Sequence, residues 1–191
     1  ETIEYLSDLA AEDSSKNLEV DIYPSGVLGA EPSTVEMVQA GVLDMAKVSA
    51  NTLGQFDERY SIFSLPYLFR DQEHYYNAMA NSEGIQELFE STRDKGYIAI
   101  GYYANGARNY YLKEDKAVTD PSVLKGKKIR AMVSSTSMEM IELMGGSPVP
   151  MASSETYTSL QQGIVDGAEN TELALTVDKH EEIVKSYTYT E

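Results

Sequence analysis

Cysteine and tryptophan are both absent from this chain of 191 residues. Without cysteine there can be no disulfide, no thiolate nucleophile and no cysteine metal site, and the redox state of the compartment is left open. Positive charge is also scarce. Fifteen Lys and Arg stand against 31 Asp and Glu, a formal net charge of −16 with a pI near 4.4. At long range such a chain repels phosphate backbones and anionic lipid, so neither nucleic acid nor a membrane surface is an expected partner. Any bound anion must be held by local positive charge. No run approaches the roughly 20 apolar residues of a membrane-spanning helix. The chain starts at Glu1 without a signal-peptide pattern, which is compatible with an export signal trimmed from ahead of it.

The familiar catalytic signatures are missing as well. There is no G-x-S-x-G elbow, no phosphate-cradling G-x-x-x-x-G-K-S/T and no H-E-x-x-H, so hydrolytic, nucleotide and zinc-protease chemistry lack their residues. The two histidines, His74 in "DQEHYY" and His180 in "DKHEE", read as solvated helix faces. Asp166 and Glu169 in "DGAEN" lack the spaced oxygen ligands of a calcium loop. The expectation is a protein that is not an enzyme and carries no metal or cofactor.

What is present is a globular pattern of alternating elements. Hydrophobic residues make up 42% of the chain, enough to bury a core in one or two domains. Ile3, Leu6, Leu9 and Ala10 recur at helical spacing, and "NLEVDIYP" then alternates like a strand. "EPSTVEMVQAG" predicts a helix with Pro32 in its first turn and Gly41 at its end, followed by a short strand, "VLDMAKVS". An apolar loop at "SLPYLF" leads to two helices broken near Asn81 to Gly84 and closed at Gly96, then to a strand at "YIAIGYYANG". From there "ARNYYLK" is extended, "DPSVLKG" a helical turn, "KKIRAMV" a strand, "SSTSMEMIELMGG" a helix, "SPVPM" extended and "SSETYTSLQQG" a helix. This alternation predicts parallel-rich α/β sheets.

Two stretches echo one another. "VQAGVLDMA" and "LQQGIVDGA" share the pattern apolar, Gln, any, Gly, two apolars, Asp, any, Ala. Each ends a predicted helix at glycine and starts a short strand. Such punctuation recurs throughout α/β proteins; it also fits two lobes of like construction with a cleft between them.

The densest positive charge lies in "KGKKIRAMVSS". Lys125 and Lys127 flank Gly126 in a predicted turn, where solvated charge is the default. Arg130 lies deeper, near the end of a strand, where α/β folds gather ligands. Its planar fork suits a carboxylate better than a lysine does. A structural salt bridge is the competing role for it.

Together, "YPSGVLG", "LPYLF", "NGARNYY", "LKGKKIRAM", "GGSPVPMASSETYTSLQQGIVDGAEN" and "KHEEIVK" resemble, in order and from about Leu18 to Lys185, the solute-binding proteins of TRAP transporters, the DctP-type family. The resemblance implies an α/β, two-lobed periplasmic-binding-protein-like fold with a ligand cleft between the lobes. Residues 1–105 would form the N-terminal lobe and 106–191 the C-terminal lobe. It implies an extracytoplasmic receptor, monomeric, that closes on an organic acid and delivers it to membrane permease subunits of a TRAP transporter. Carried over by motif, Arg130 salt-bridges the ligand carboxylate, Arg108 assists and Asn170 donates a hydrogen bond, with Ser134, Ser153, Ser49 and Asn51 as further candidates. Arg108 could instead tie the lobes together, and Asn170 could cap the helix beginning at "TELAL".

Ser153 stands where sialic-acid-binding members have an aromatic residue and Ser49 where they have an acid, which argues against sialic acid. "GARNYY" and "DGAEN" resemble the sugar-acid branch, so a uronate or aldonate is the expected ligand; a C4-dicarboxylate or 2-oxoacid, or a sensor domain of the same fold, are alternatives. Relative to the family, the chain reads as shortened at both ends.

Overall fold

The computed structural model describes residues 2–12 and 18–190. The first half is helical. Helix α1 (Thr2–Glu12) follows the Ile3, Leu6, Leu9 stripe, and Ser7 Oγ ties it to Val20 O at 3.3 Å. Helix α2 (Glu31–Gln39) has Pro32 in its first turn, where the missing N–H costs nothing, and closes on Gly41 at φ +68°. A single turn, α3 (Ala50–Leu53), leads through a 3-10 stretch at Glu58–Ser64 to α4 (Gln72–Asn81) and α5 (Glu83–Glu90). Asp71 caps α4 by accepting from His74 N at 2.7 Å. Tyr60, Met79, Leu88 and Phe89 form the core of this half. Beneath it the buried Asp57 accepts from the Arg59 side chain and from Lys95 Nζ. The Arg59 hydrogen bond, seconded by Lys95, holds the Asp57 carboxyl well below the usual carboxylate range.

The second half carries the sheet. Its strands are β1 (Asn109–Leu112), β2 (Lys128–Ala131), β3 (Ser147–Pro150), β4 (Gly167–Asn170) and β5 (Ser186–Thr188), in the order β3-β2-β4-β1-β5. Helices α6 (Ser135–Leu143) and α7 (Ser153–Gln161) connect β2 to β3 and β3 to β4, and a turn of helix, α8 (Leu173–Thr176), follows β4. Strand alternation divides the side chains. Tyr110, Leu112, Ile129 and Ala131 join Val118, Leu124 and Ile141 on one side, while Tyr111, Ala168, Leu160 and Val165 pack on the other. Adjacent tyrosines 110 and 111 therefore enter different clusters.

Two expectations are corrected here. The sheet is mixed: β2 pairs in parallel with β3 and β4, but β1 is antiparallel to both β4 and β5. And the segments predicted as strands before residue 105, at 18–22, 42–49 and 97–103, are in no strand ladder among the described residues. Alternation sets which way side chains point, but a strand exists only where a neighbouring backbone takes its N–H and C=O groups. A few of those groups find other partners, as where Ala99 N donates to Phe89 O at 3.2 Å. Leu18, Val42 and Ile100 are left exposed.

Candidate ligand-binding site

The end of β2 presents Arg130. Its side chain is only 4% exposed, and its register neighbours are Val149 on β3 and Ala168 on β4. Nη2 donates to Met151 O at 2.9 Å, whereas Nε, buried, has no partner. No carboxylate lies within ion-pair distance among the described residues. Burial pulls its pKa down, and Arg108 adds to that pull while Glu169 opposes it. A guanidinium has five N–H donors, so most of this one is unspent. A buried cation without a partner is costly, and an arriving anion relieves that cost. The neighbouring lysines behave differently: Lys125 and Lys128 are exposed, and Lys127 pairs with Glu114 at 2.7 Å.

Arg108, just before β1, is by contrast engaged at all three of its nitrogens. Nε donates to Glu169 Oε2 at 2.5 Å, Nη2 to Glu169 Oε1 at 3.1 Å and to its backbone O at 2.9 Å, and Nη1 to Asn170 Oδ1 at 3.0 Å. The forked ion pair with Glu169 keeps the guanidinium charged against the effect of burial. Asn170, opposite Asn109 at the end of β4, also accepts from Thr171 N at 2.9 Å, so it satisfies the first N–H of the turn that leads into α8. Its amide nitrogen makes no hydrogen bond among the described residues and remains a free donor.

The other candidates divide. Ser134 is buried at the N-terminus of α6, four residues beyond Arg130, and its side chain caps nothing. Ser153, the first residue of α7, is exposed, two residues past the Met151 carbonyl that holds Arg130. Ser49 gives both its N–H and its hydroxyl to Glu31 Oε2, at 3.1 and 2.7 Å. Asn51 reaches to the second half of the chain, donating to Ser137 Oγ at 3.2 Å and Met132 Sδ at 3.3 Å. The structure thus gathers Arg130, Arg108, Asn170 and Ser134 at the ends of β2, β4 and β1, with Asn51 across from them; Ser49 belongs to a cluster around Glu31.

Glu31 was not singled out from sequence. It was read only as the start of a helix before Pro32, yet its field supports the charge of both Arg130 and Arg108. Ser49 and Thr52 load a single oxygen of its carboxylate.

His180 overturns the reading of a solvated face. It is fully buried, with Nδ1 at 2.8 Å from the Tyr111 hydroxyl and its ring beside those of Tyr111 and Tyr157. Burial pushes its pKa down. A one-turn 3-10 helix at His180–Glu182 turns it inward, and no periodicity can reveal so short an element. His74 is partly exposed on α4, its Nδ1 accepting from Arg70 N at 3.2 Å.

A cavity of about 370 Å³ adjoins the Arg108 and Asn170 pair, lined by residues 104–107, Asn109 and 171–173. Arg130 does not line it.

The model of the bacterial extracellular solute-binding proteins, family 7 (DctP), matches residues 1–191. The chain is 42% identical to the uncharacterized protein YiiZ of Salmonella typhimurium, over 99% of this chain and 58% of that protein. A TRAP periplasmic solute-binding protein from Anaerococcus prevotii, solved with bound α/β-D-glucuronate, superposes with a TM-score of 0.93 at 36% identity, covering 98% of this chain and 60% of that one. A second, from Sulfitobacter sp. NAS-14.1 with bound β-D-galacturonate, gives 0.91 at 32% identity, covering 97% and 61%. The chain therefore spans about 60% of the length of the solved proteins it matches.

Proposed function

The chain belongs to the bacterial extracellular solute-binding proteins of family 7, the DctP family, and from that membership we propose that it captures a sugar acid outside the cytoplasm for delivery to a TRAP permease. The fold is the two-lobed α/β architecture of its structural neighbours. In this reading residues 1–105 and 106–191 contribute to opposite lobes, and the receptor works as a monomer that changes no bond in its ligand.

The observation that carries the proposal is Arg130. It is a buried guanidinium, held by a single carbonyl and paired with no acid among the described residues. A ligand carboxylate that loses its water needs charge-assisted hydrogen bonds, worth about 1.5 to 3 kcal/mol each. A bidentate arginine supplies two of them. Asn170 adds a neutral donor, and the Arg108 ion pair with Glu169 fixes its orientation by holding Oδ1 and leaving the amide N–H groups to the ligand. Ser134 offers a hydroxyl with no other duty. Ser153, exposed, and Ser49 and Asn51, already bonded within the protein, are secondary contacts in this scheme. In this scheme the carboxylate oxygen of Glu31 that Ser49 and Thr52 do not occupy accepts from ligand hydroxyls, which a uronate or aldonate has and a succinate lacks.

Thermal shift against a panel of acids tests the assignment, because a ligand bound only by the folded state raises the melting temperature. D-Glucuronate, D-galacturonate and aldonates should raise it; C4-dicarboxylates and 2-oxoacids should act weakly or not at all. A shift confined to dicarboxylates would overturn the sugar-acid assignment while keeping the carboxylate anchor.

A further inference from the structure

We propose that Asn51 and Gln55 form a latch that holds the two halves of the molecule in register across the Arg130 site and so sets how long a ligand stays bound. The inference rests on the two-lobed binding role and adds to it a pair of positioning residues.

Three hydrogen bonds carry it. Asn51 Nδ2 donates to Ser137 Oγ at 3.2 Å and to Met132 Sδ at 3.3 Å, and Gln55 Nε2 donates to Val133 O at 2.5 Å. Each joins residues 78 to 86 positions apart in the chain. All three acceptors lie on the segment that leaves Arg130: Met132 and Val133 are two and three residues on, and Ser137 sits in the first turn of α6. The two donors are four residues apart around the turn of α3, so they reach out together.

The donor side is braced from behind. Thr52 Oγ1 and Ser49 Oγ both donate to Glu31 Oε2, at 2.6 and 2.7 Å, which pins α3 to the first turn of α2. Movement of the first half is thereby transmitted to Asn51 and Gln55. The latch is made of neutral, partly exposed hydrogen bonds, which water can replace when they open. That suits a contact which must form and break in each cycle of capture and release; a half-buried, forked ion pair such as Arg108 with Glu169 would resist it. Weakening the latch lets the halves part sooner around a bound ligand, so its effect falls on the release rate.

The absence of native cysteine makes the test direct. Spin labels at Glu87→Cys on α5 and Glu142→Cys on α6, both exposed in the native protein, report the separation of the halves by double electron–electron resonance in the intact protein without ligand. Gln55→Ala, at an exposed residue with no proposed ligand contact, and the double variant Asn51→Ala with Gln55→Ala should shift the distances outward and broaden them. Gln55→Glu, which keeps the size but loses the donor, should match Gln55→Ala. Stopped-flow release of D-glucuronate should quicken roughly three- to tenfold in Gln55→Ala with the association rate unchanged. An unchanged distance distribution in the double variant would overturn the latch whatever the ligand. Failure of the unaltered protein to bind any sugar acid would instead sink the ligand assignment, and the distance measurement would still decide the latch.

Discussion

Residues 30–46 and 152–168 begin alike and end differently. Helices α2 and α7 are each nine residues long, each preceded by an extended alanine, Ala30 at ψ 159° and Ala152 at ψ 154°. Each closes on a glycine of positive φ, Gly41 at +68° and Gly163 at +73°. The closing bonds also correspond, Val42 N to Met37 O and Ile164 N to Ser159 O, both 2.9 Å. Beyond the glycine the copies part. Residues 167–170 slot between β2 and β1 with Val165 and Ala168 wholly buried, whereas their counterparts Leu43 and Ala46 are half-buried and exposed and join no ladder among the described residues. A helix and its cap are local products; a strand is completed by what lies beside it.

The largest expected effect distinguishes the two copies at their one glycine mismatch. A Cβ at Gly167 would meet Tyr111 O at 2.3 Å and Leu112 Cδ2 at 2.6 Å, so Gly167→Ala should cost about 3 kcal/mol or more. Its counterpart Met45 is exposed, and Met45→Ala should stay within about 0.5 kcal/mol in the same urea titration. Similar losses at both positions would break the comparison. Next come the paired aspartates. Asp166 Oδ2 accepts from Lys128 N at 2.8 Å while Asp166 N donates to Lys128 O at 2.7 Å. Asp166→Ala should cost about 1.5 kcal/mol and Asp44→Ala almost nothing. The capping glycines should instead behave as twins. Neither Gly41 nor Gly163 has backbone crowding its missing Cβ, so alanine at either should cost about 1 kcal/mol, the strain of a positive φ alone. A clear inequality would mean that the caps are not equivalent.

The smallest effect is gradual and belongs to the second copy only. Tyr157 of α7 packs its ring on His180, which faces Tyr111, Asp178, Glu181 and the more distant Arg130 charge. Burial lowers the folded-state pKa of His180 below its ordinary value of about 6.5. Below that value the unfolded chain takes up the proton first, so stability should be full above about pH 6.5 and decline as pH falls toward the folded-state value. His180→Gln should flatten this part of the pH profile of the melting temperature. A wild-type profile without such a slope would contradict a buried neutral imidazole.

Legibility followed the same division. The helices, their glycine ends and the arginine strand could be read from residues, because caps and periodicity are local; Arg130 on its strand and Gly41 at the end of its helix are examples. The three early segments read as strands and still formed no ladder, since pairing is not encoded in the segment itself. The ion pair of Arg108 with Glu169 was invisible because it joins residues 61 positions apart, and the sequence alone left Arg108 free to serve a ligand or to bind within the protein. Glu31 was hidden behind an ordinary helix start, and Gln55 behind an unremarkable loop.

The role given to Arg130 is tested most directly by titration calorimetry of D-glucuronate against the native protein and Arg130→Ala, with folding of the variant checked by circular dichroism. The account predicts a loss of roughly 2 to 5 kcal/mol in binding free energy, as for other truncated charge pairs removed from water. A folded variant that binds with near-native affinity would contradict it.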